Sequence, residues 1–139
     1  MGSGSKIMGV LGGLAILAIG AASVWYFVLQ SPYRRALPRG ATEVNETTIS
    51  ATGTTIVYLK ARFPSDLFAG YCREMKLTPL EYEKIRGEAM VYAKWESERP
   101  LGWWRPSANL VGAYWRQDDD VLVMAKHEDG FLYVKVVKP

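Results

Sequence analysis

His127 and Cys72 are the single histidine and the single cysteine in a chain of 139 residues. An imidazole titrates near neutral pH and suits proton transfer; a thiolate is a nucleophile or a metal ligand. Glu128 follows His127, and a neighbouring carboxylate raises an imidazole's affinity for protons. Adjacent residues of a strand point to opposite faces, however, so the two read as ordinary strand positions rather than a pair. Cys72 falls on the apolar stripe of an expected helix and reads as a buried structural thiol. Asp118-Asp119-Asp120 supplies carboxylates that suit a hard cation, but three contiguous acids lack the spaced oxygen ligands of a calcium loop and read as a solvated turn. Glu81, Glu83 and Glu88 lie near basic residues and need no catalytic explanation. The chain carries no Gly-x-Ser-x-Gly elbow, His-Glu-x-x-His, phosphate loop or dinucleotide fingerprint. A lone cysteine makes neither an intrachain disulfide nor a cysteine metal cluster. The expectation is a protein that is not an enzyme and needs no cofactor or metal.

Binding chemistry is better represented. Pro100-Leu101-Gly102-Trp103-Trp104-Arg105-Pro106 places two tryptophans and an arginine between prolines, which hold the segment irregular and extended. Adjacent tryptophans cannot both enter one core, and Trp and Arg carry much of the binding energy at protein interfaces. Trp103, Trp104 and Arg105 are therefore candidate partner-docking residues. The plainer alternative is that one tryptophan closes the core while the other lies at the surface, with Tyr92, Trp95 and Trp115 as possible neighbours.

The elements that position these residues begin with an edge strand or loop over Glu43–Ser50, where Asn45-Glu46-Thr47 also fits the glycosylation acceptor pattern. A strand follows over Gly53–Phe63, with Val57, Leu59, Ala61 and Phe63 on one face and Tyr58, Lys60 and Arg62 on the other. Pro64-Ser65-Asp66 opens a helix whose Leu67, Phe68, Tyr71, Cys72 and Met75 recur at helical spacing. Thr78-Pro79-Leu80-Glu81 has the form of a second helix N-terminus. Thr78 caps, Pro79 takes the first position, Glu81 completes a capping box, and Leu77 with Tyr82 forms a staple. Glu88–Trp95 fits a helix or a strand. Leu110–Arg116 reads as a strand, joined through Gln117–Asp120 to a hairpin turning at Asp129-Gly130. That turn sets Glu128 opposite Phe131, Ala125 opposite Val134 and Val123 opposite Val136. Val121, Val123, Ala125, Leu132, Val134 and Val136 then share one face, with His127 at its edge.

All of this follows a membrane segment. Ile7–Leu29 is 23 residues with no charge and only Ser23 polar, long enough to cross a hydrocarbon core of about 30 Å. The apolar run continues past Gly20-Ala21-Ala22, further than a cleaved signal peptide's core would, so a retained anchor is expected. Gly9, Gly13 and Gly20 form a small-residue stripe suited to packing against another helix. Trp25, Tyr26, Tyr33, Arg34 and Arg35 are expected at the membrane interface. The organisation is thus a short tail (1–6), a transmembrane helix (7–29), a basic juxtamembrane linker (30–41) and one small domain (42–139). The fold class is α+β: a single N-terminal transmembrane helix, then a strand, two short helices and an antiparallel sheet ending in a β-hairpin.

The net charge is +3 and the isoelectric point about 9.0, yet the excess sits beside the membrane. Lys6, Arg34, Arg35 and Arg39 precede Ala41 with no acid among them, leaving thirteen Lys and Arg against fourteen Asp and Glu beyond. Lipid, not nucleic acid, is the expected partner of that charge. Topology signals conflict: arginines after the helix favour a cytoplasmic domain, whereas a short N-terminal tail before an anchor favours export. The reading taken is an inner (plasma) membrane protein with its domain on the exported, periplasmic side.

A strand ending Tyr-Leu-Lys-Ala-Arg, a helix, Leu-Thr-Pro, then Trp-Trp-Arg-Pro and a closing hairpin resembles small bacterial envelope proteins; the resemblance implies no activity. The function expected is an accessory or assembly subunit of a larger membrane complex. It packs through its transmembrane helix against other helices or subunits and docks through its domain. The alternative is a membrane-tethered binding or sensory module for a small ligand or envelope polymer.

Overall fold

The computed structural model describes residues 30–81, 95 and 101–139. The expected transmembrane helix lies outside them, as do Gly9, Gly13, Gly20, Trp25 and Tyr26. No helix among the described residues is long and apolar enough to cross a membrane. The chain divides into two units, Met1–Arg35 and Ala36–Pro139. Of the first unit, the described part holds a four-residue helix, α1 (Pro32–Arg35), begun by Ser31, whose hydroxyl accepts from the Arg34 amide at 3.2 Å.

The second unit is a small, sheet-dominated domain with few and short helices. Its described strands are β1 (Thr42–Ala51), β2 (Thr54–Arg62), β3 (Thr78–Pro79), β4 (Tyr114–Asp118), β5 (Val121–Glu128) and β6 (Phe131–Lys138). They form one antiparallel sheet in the order β1-β2-β6-β5-β4-β3. Two tight turns fix much of it. Thr52-Gly53 and Asp129-Gly130 each place two consecutive residues at positive φ, the geometry whose twist suits a two-residue hairpin. The β5–β6 register is the one the turn chemistry predicts: Glu128 faces Phe131, Ala125 faces Val134 and Val123 faces Val136. Strand β6 then inserts between β5 and β2, with Val57 opposite Val136 and Leu59 opposite Val134.

Both faces of the central strands are buried. On one, Val57, Leu59, Ala61, Phe63, Val123, Ala125, Leu132, Val134 and Val136 are covered. This is the face that accepts helix α2 (Phe68–Glu74), entered through a 3-10 turn at Ser65–Leu67. Tyr71, Cys72 and Met75 of the predicted stripe are buried, whereas Leu67 is 39% exposed. The helix closes with Lys76 at φ 57°. The Lys76 amide bonds to the Arg73 carbonyl at 3.1 Å and the Leu77 amide to the Cys72 carbonyl at 2.8 Å, the paired bonds of a Schellman ending. The opposite face carries a second cluster: Tyr58, Leu80, Trp95, Trp104, Leu110, Ala113, Leu122, Met124 and Tyr133. Strands enclosed on two sides read as nearly continuous apolar runs, which is what 121–125 and 131–137 are.

Thr78-Pro79 does not begin a second helix. It is β3, paired with Trp115 and Tyr114. Thr78 spends its hydroxyl across the strands on the Trp115 carbonyl at 3.4 Å, and the Leu80 amide donates to the Ala113 carbonyl at 2.8 Å. Pro79 is tolerated because β3 is an edge, where a missing N–H breaks no ladder. Burial of Leu80 in the second cluster outweighs the local capping signature. The remainder of the expected helix, and most of Glu88–Trp95, lie outside the described residues. Two smaller corrections concern boundaries. Strand β4 starts at Tyr114 rather than Leu110, because the Ala113 amide turns back to the Leu110 carbonyl at 3.0 Å. Asp118 belongs to β4, leaving Asp119 and Asp120 as the exposed turn.

Candidate functional site, the Trp103–Ser107 loop

The loop after Leu101 crosses the second face of the sheet and is fastened at two points. The first is Trp104, 2% exposed. Its ring meets Tyr58 at 5.1 Å, Tyr133 at 5.3 Å and Trp95 at 5.5 Å between centroids, all edge-on, the arrangement aromatic quadrupoles favour. The second is Ser107. Its amide donates to Glu128 Oε2 at 2.8 Å, its hydroxyl donates to Glu128 Oε1, and its carbonyl accepts from Trp95 Nε1 at 3.1 Å. Lys126 lies under the same point, only 5% exposed. Its Nζ donates to Ser107 Oγ at 2.7 Å, to Glu128 Oε1 at 3.3 Å and to the Asn109 carbonyl. Three acceptors for three donors is the condition for burying an ammonium.

Between these fastenings the chain exposes what remains. Trp103 is half-buried against the cluster, and Arg105 is exposed, with Nε donating to the Gly102 carbonyl at 2.8 Å. The three candidate docking residues are therefore not equivalent. Trp104 holds the loop, while Trp103 and Arg105 stand at the surface. Val111, 69% exposed, is the most exposed large apolar side chain among the described residues.

Electrostatics follow from these contacts. Desolvation alone would raise the Glu128 carboxyl, but hydrogen bonds from the Ser107 hydroxyl and amide, and from Lys126 beside it, hold it below the usual carboxylate range. Burial, with Glu128 and Asp129 nearby, pushes Tyr133 up. The adjacency of Glu128 to His127 carries no sign of this network, because neighbours along a strand face opposite ways. The usable signal was the i, i+2 spacing of Lys126 and Glu128, which puts both on one strand face.

The other candidates have structural contacts. His127 lies on the helix side of the sheet, its Nε2 2.7 Å from the Phe63 carbonyl and its ring against Phe63 and Phe68. It points away from Glu128, as strand alternation requires. Cys72 is buried, and burial pushes its thiol up to about 12. Asp118 approaches Arg116 Nε at 2.6 Å, and Arg116 also donates to the Met75 carbonyl. Among the described residues no group of three or more His, Cys, Asp or Glu side chains could hold a metal ion. Tyr33, Arg34 and Arg35 lie in α1, with Tyr33 buried.

No protein-family model, curated protein or solved structure matches this chain.

Proposed function

We propose that this protein is a non-enzymatic, single-pass accessory or assembly subunit of a larger membrane complex, in the inner membrane with its domain on the exported side. It packs through Gly9, Gly13 and Gly20 against another transmembrane helix and docks through the Trp103–Arg105 loop. The observation that supports docking is the preorganisation of that loop. Trp104 and the Ser107–Glu128–Lys126 knot hold the backbone from beneath, so Trp103 and Arg105 present a tryptophan and a guanidinium with little freedom left to lose. A recognition segment ordered before it binds gives up less entropy on binding.

The test is recovery of partners after extraction in mild detergent. Gly13→Leu, Trp103→Ala and Arg105→Ala each leave Trp104 in place, and each is expected to lower recovery of the same co-purifying subunits. Recovery equal to the parent chain for all three would refute the assignment. Topology is read from Cys72: an impermeant thiol reagent applied to intact cells labels it from outside only after the domain is unfolded.

A further inference from the structure

Between Thr42 and Asn45 the register of β1 against β2 slips. Thr42 faces Arg62 and Asn45 faces Lys60, so Glu43 and Val44 together oppose Ala61. That is a one-residue bulge at a sheet edge. Its first residue, Glu43, has φ 50°, the left-handed region that glycine fills in bulges of this kind. A glutamate is unfavourable there. Its ion pair with Arg62 Nη1, at 3.4 Å, joins a glutamate 55% exposed to an arginine 61% exposed, and pairs that exposed contribute little. Sheet stability therefore gives no reason for a glutamate at this position. Strained positions of this type cluster at binding sites.

The bulge separates two clefts. One, of about 430 Å³, is lined by Glu43, Val44, Asn45, Lys60 and Phe131. The other, of about 330 Å³, is lined by Gly40, Thr42, Arg62, Phe63, Pro64 and Gly130. Lys60 Nζ sits 4.3 Å over the Phe131 ring and 5.4 Å from that of Tyr133, and the Arg62 guanidinium lies 5.6 Å over Phe131. Stacking of this kind restrains long side chains that would otherwise wander. Asn45 Nδ2 donates to the Glu43 carbonyl at 3.4 Å.

We propose that the bulge and its two clefts form one groove for an extended, hydroxyl-rich carbohydrate chain. Carboxylate, amide and cationic groups alternate along it, offering acceptors and donors at close spacing for hydroxyls, while Val44 and the aliphatic stem of Lys60, held over Phe131, supply apolar contact. The signs are mixed, and a polyanion would meet Glu43 and the neighbouring Asp129. Two adjoining shallow clefts suit successive units of a chain better than one compact molecule. The groove shares no residue with the Trp103–Arg105 loop, so this inference goes beyond the docking function and fails or stands separately from it.

The test uses the ¹⁵N-labelled full chain in phosphocholine micelles, which carry no sugar headgroup. It is titrated with chitotetraose, with cellotetraose and with polyphosphate. The expected result is saturable amide shifts centred on residues 42–45, 60–62 and 130–131 with at least one oligosaccharide. Glu43→Gly should weaken that binding at least fivefold while its melting temperature stays equal or rises, since glycine relieves the left-handed position. Asn45→Ala, at an exposed site, is the second variant and should also weaken binding. Absence of saturable shifts with both oligosaccharides overturns the proposal. So does parental affinity in both variants, or a groove response to polyphosphate with none to sugar.

Discussion

Lys126 occupies a position where an unsatisfied ammonium would be costly, and it is tolerated because Ser107, Asn109 and Glu128 supply oxygens. The stability held in this knot depends on pH through Glu128. Its carboxyl titrates below the ordinary value of 4.5 in the folded domain, so the contribution is complete above that value and is lost as pH falls through the lower, folded one. Acidification should therefore free the loop and shift tryptophan emission to the red, because Trp95 and Trp104 lie at its base. Glu128→Gln should show that shift in part already at neutral pH and lose its acid phase. Cys72 gives the second prediction at this scale. With the thiol pushed up to about 12, only ~10⁻⁴ of it is thiolate at pH 8. Alkylation of the folded chain should be slow at that pH and complete within minutes in denaturant; rapid native labelling would contradict the burial.

Helix α2 is seven residues long, too short to be stable by itself, and depends on its apolar stripe and its ending. The ending uses Lys76 where glycine is the preferred residue. Lys76→Gly should stabilise the domain by about 0.5–1 kcal/mol, measured by urea unfolding, because the left-handed conformation costs a lysine roughly that much or more. No change or a loss would mean that the lysine stem makes compensating contacts. At this scale local signals were legible where they were self-contained. The Asp129-Gly130 turn, the β5–β6 register and the buried stripe of Tyr71, Cys72 and Met75 all follow from nearest neighbours along the chain. Thr78-Pro79 misled because the same residues serve as helix cap or edge strand, and pairing with β4 decides between them.

For the domain as a whole, the consequential feature is a sheet covered on both sides, with Trp104 central to the second layer. Removing a buried tryptophan leaves a void that rigid neighbours cannot fill. Trp104→Ala should cost about 3–5 kcal/mol, a large share of the roughly 5–15 kcal/mol that holds a small domain folded. Trp103→Ala, at the rim, should lower the melting temperature far less. Thermal unfolding of both variants checks the division of labour between the adjacent tryptophans. Were they to melt alike, Trp103 and not Trp104 alone would be holding the loop.

The sequence by itself determined what depends on short range: an uncharged run long enough to span a bilayer, near-neutral charge beyond it, alternating strands and the closing hairpin with its register. It left Trp103 and Trp104 between two readings, a shared docking role and a division in which one closes the core. Tertiary structure alone decided which tryptophan was buried, that β6 lies between β2 and β5, and that Thr78-Pro79 joins the sheet. It also decided that Lys126, Glu128 and Ser107 meet, although Ser107 and Lys126 are nineteen positions apart. The physical reason is common to all of these. Each depends on which distant surface becomes available for burial or hydrogen bonding once the sheet has formed, and periodicity along the chain carries no record of that.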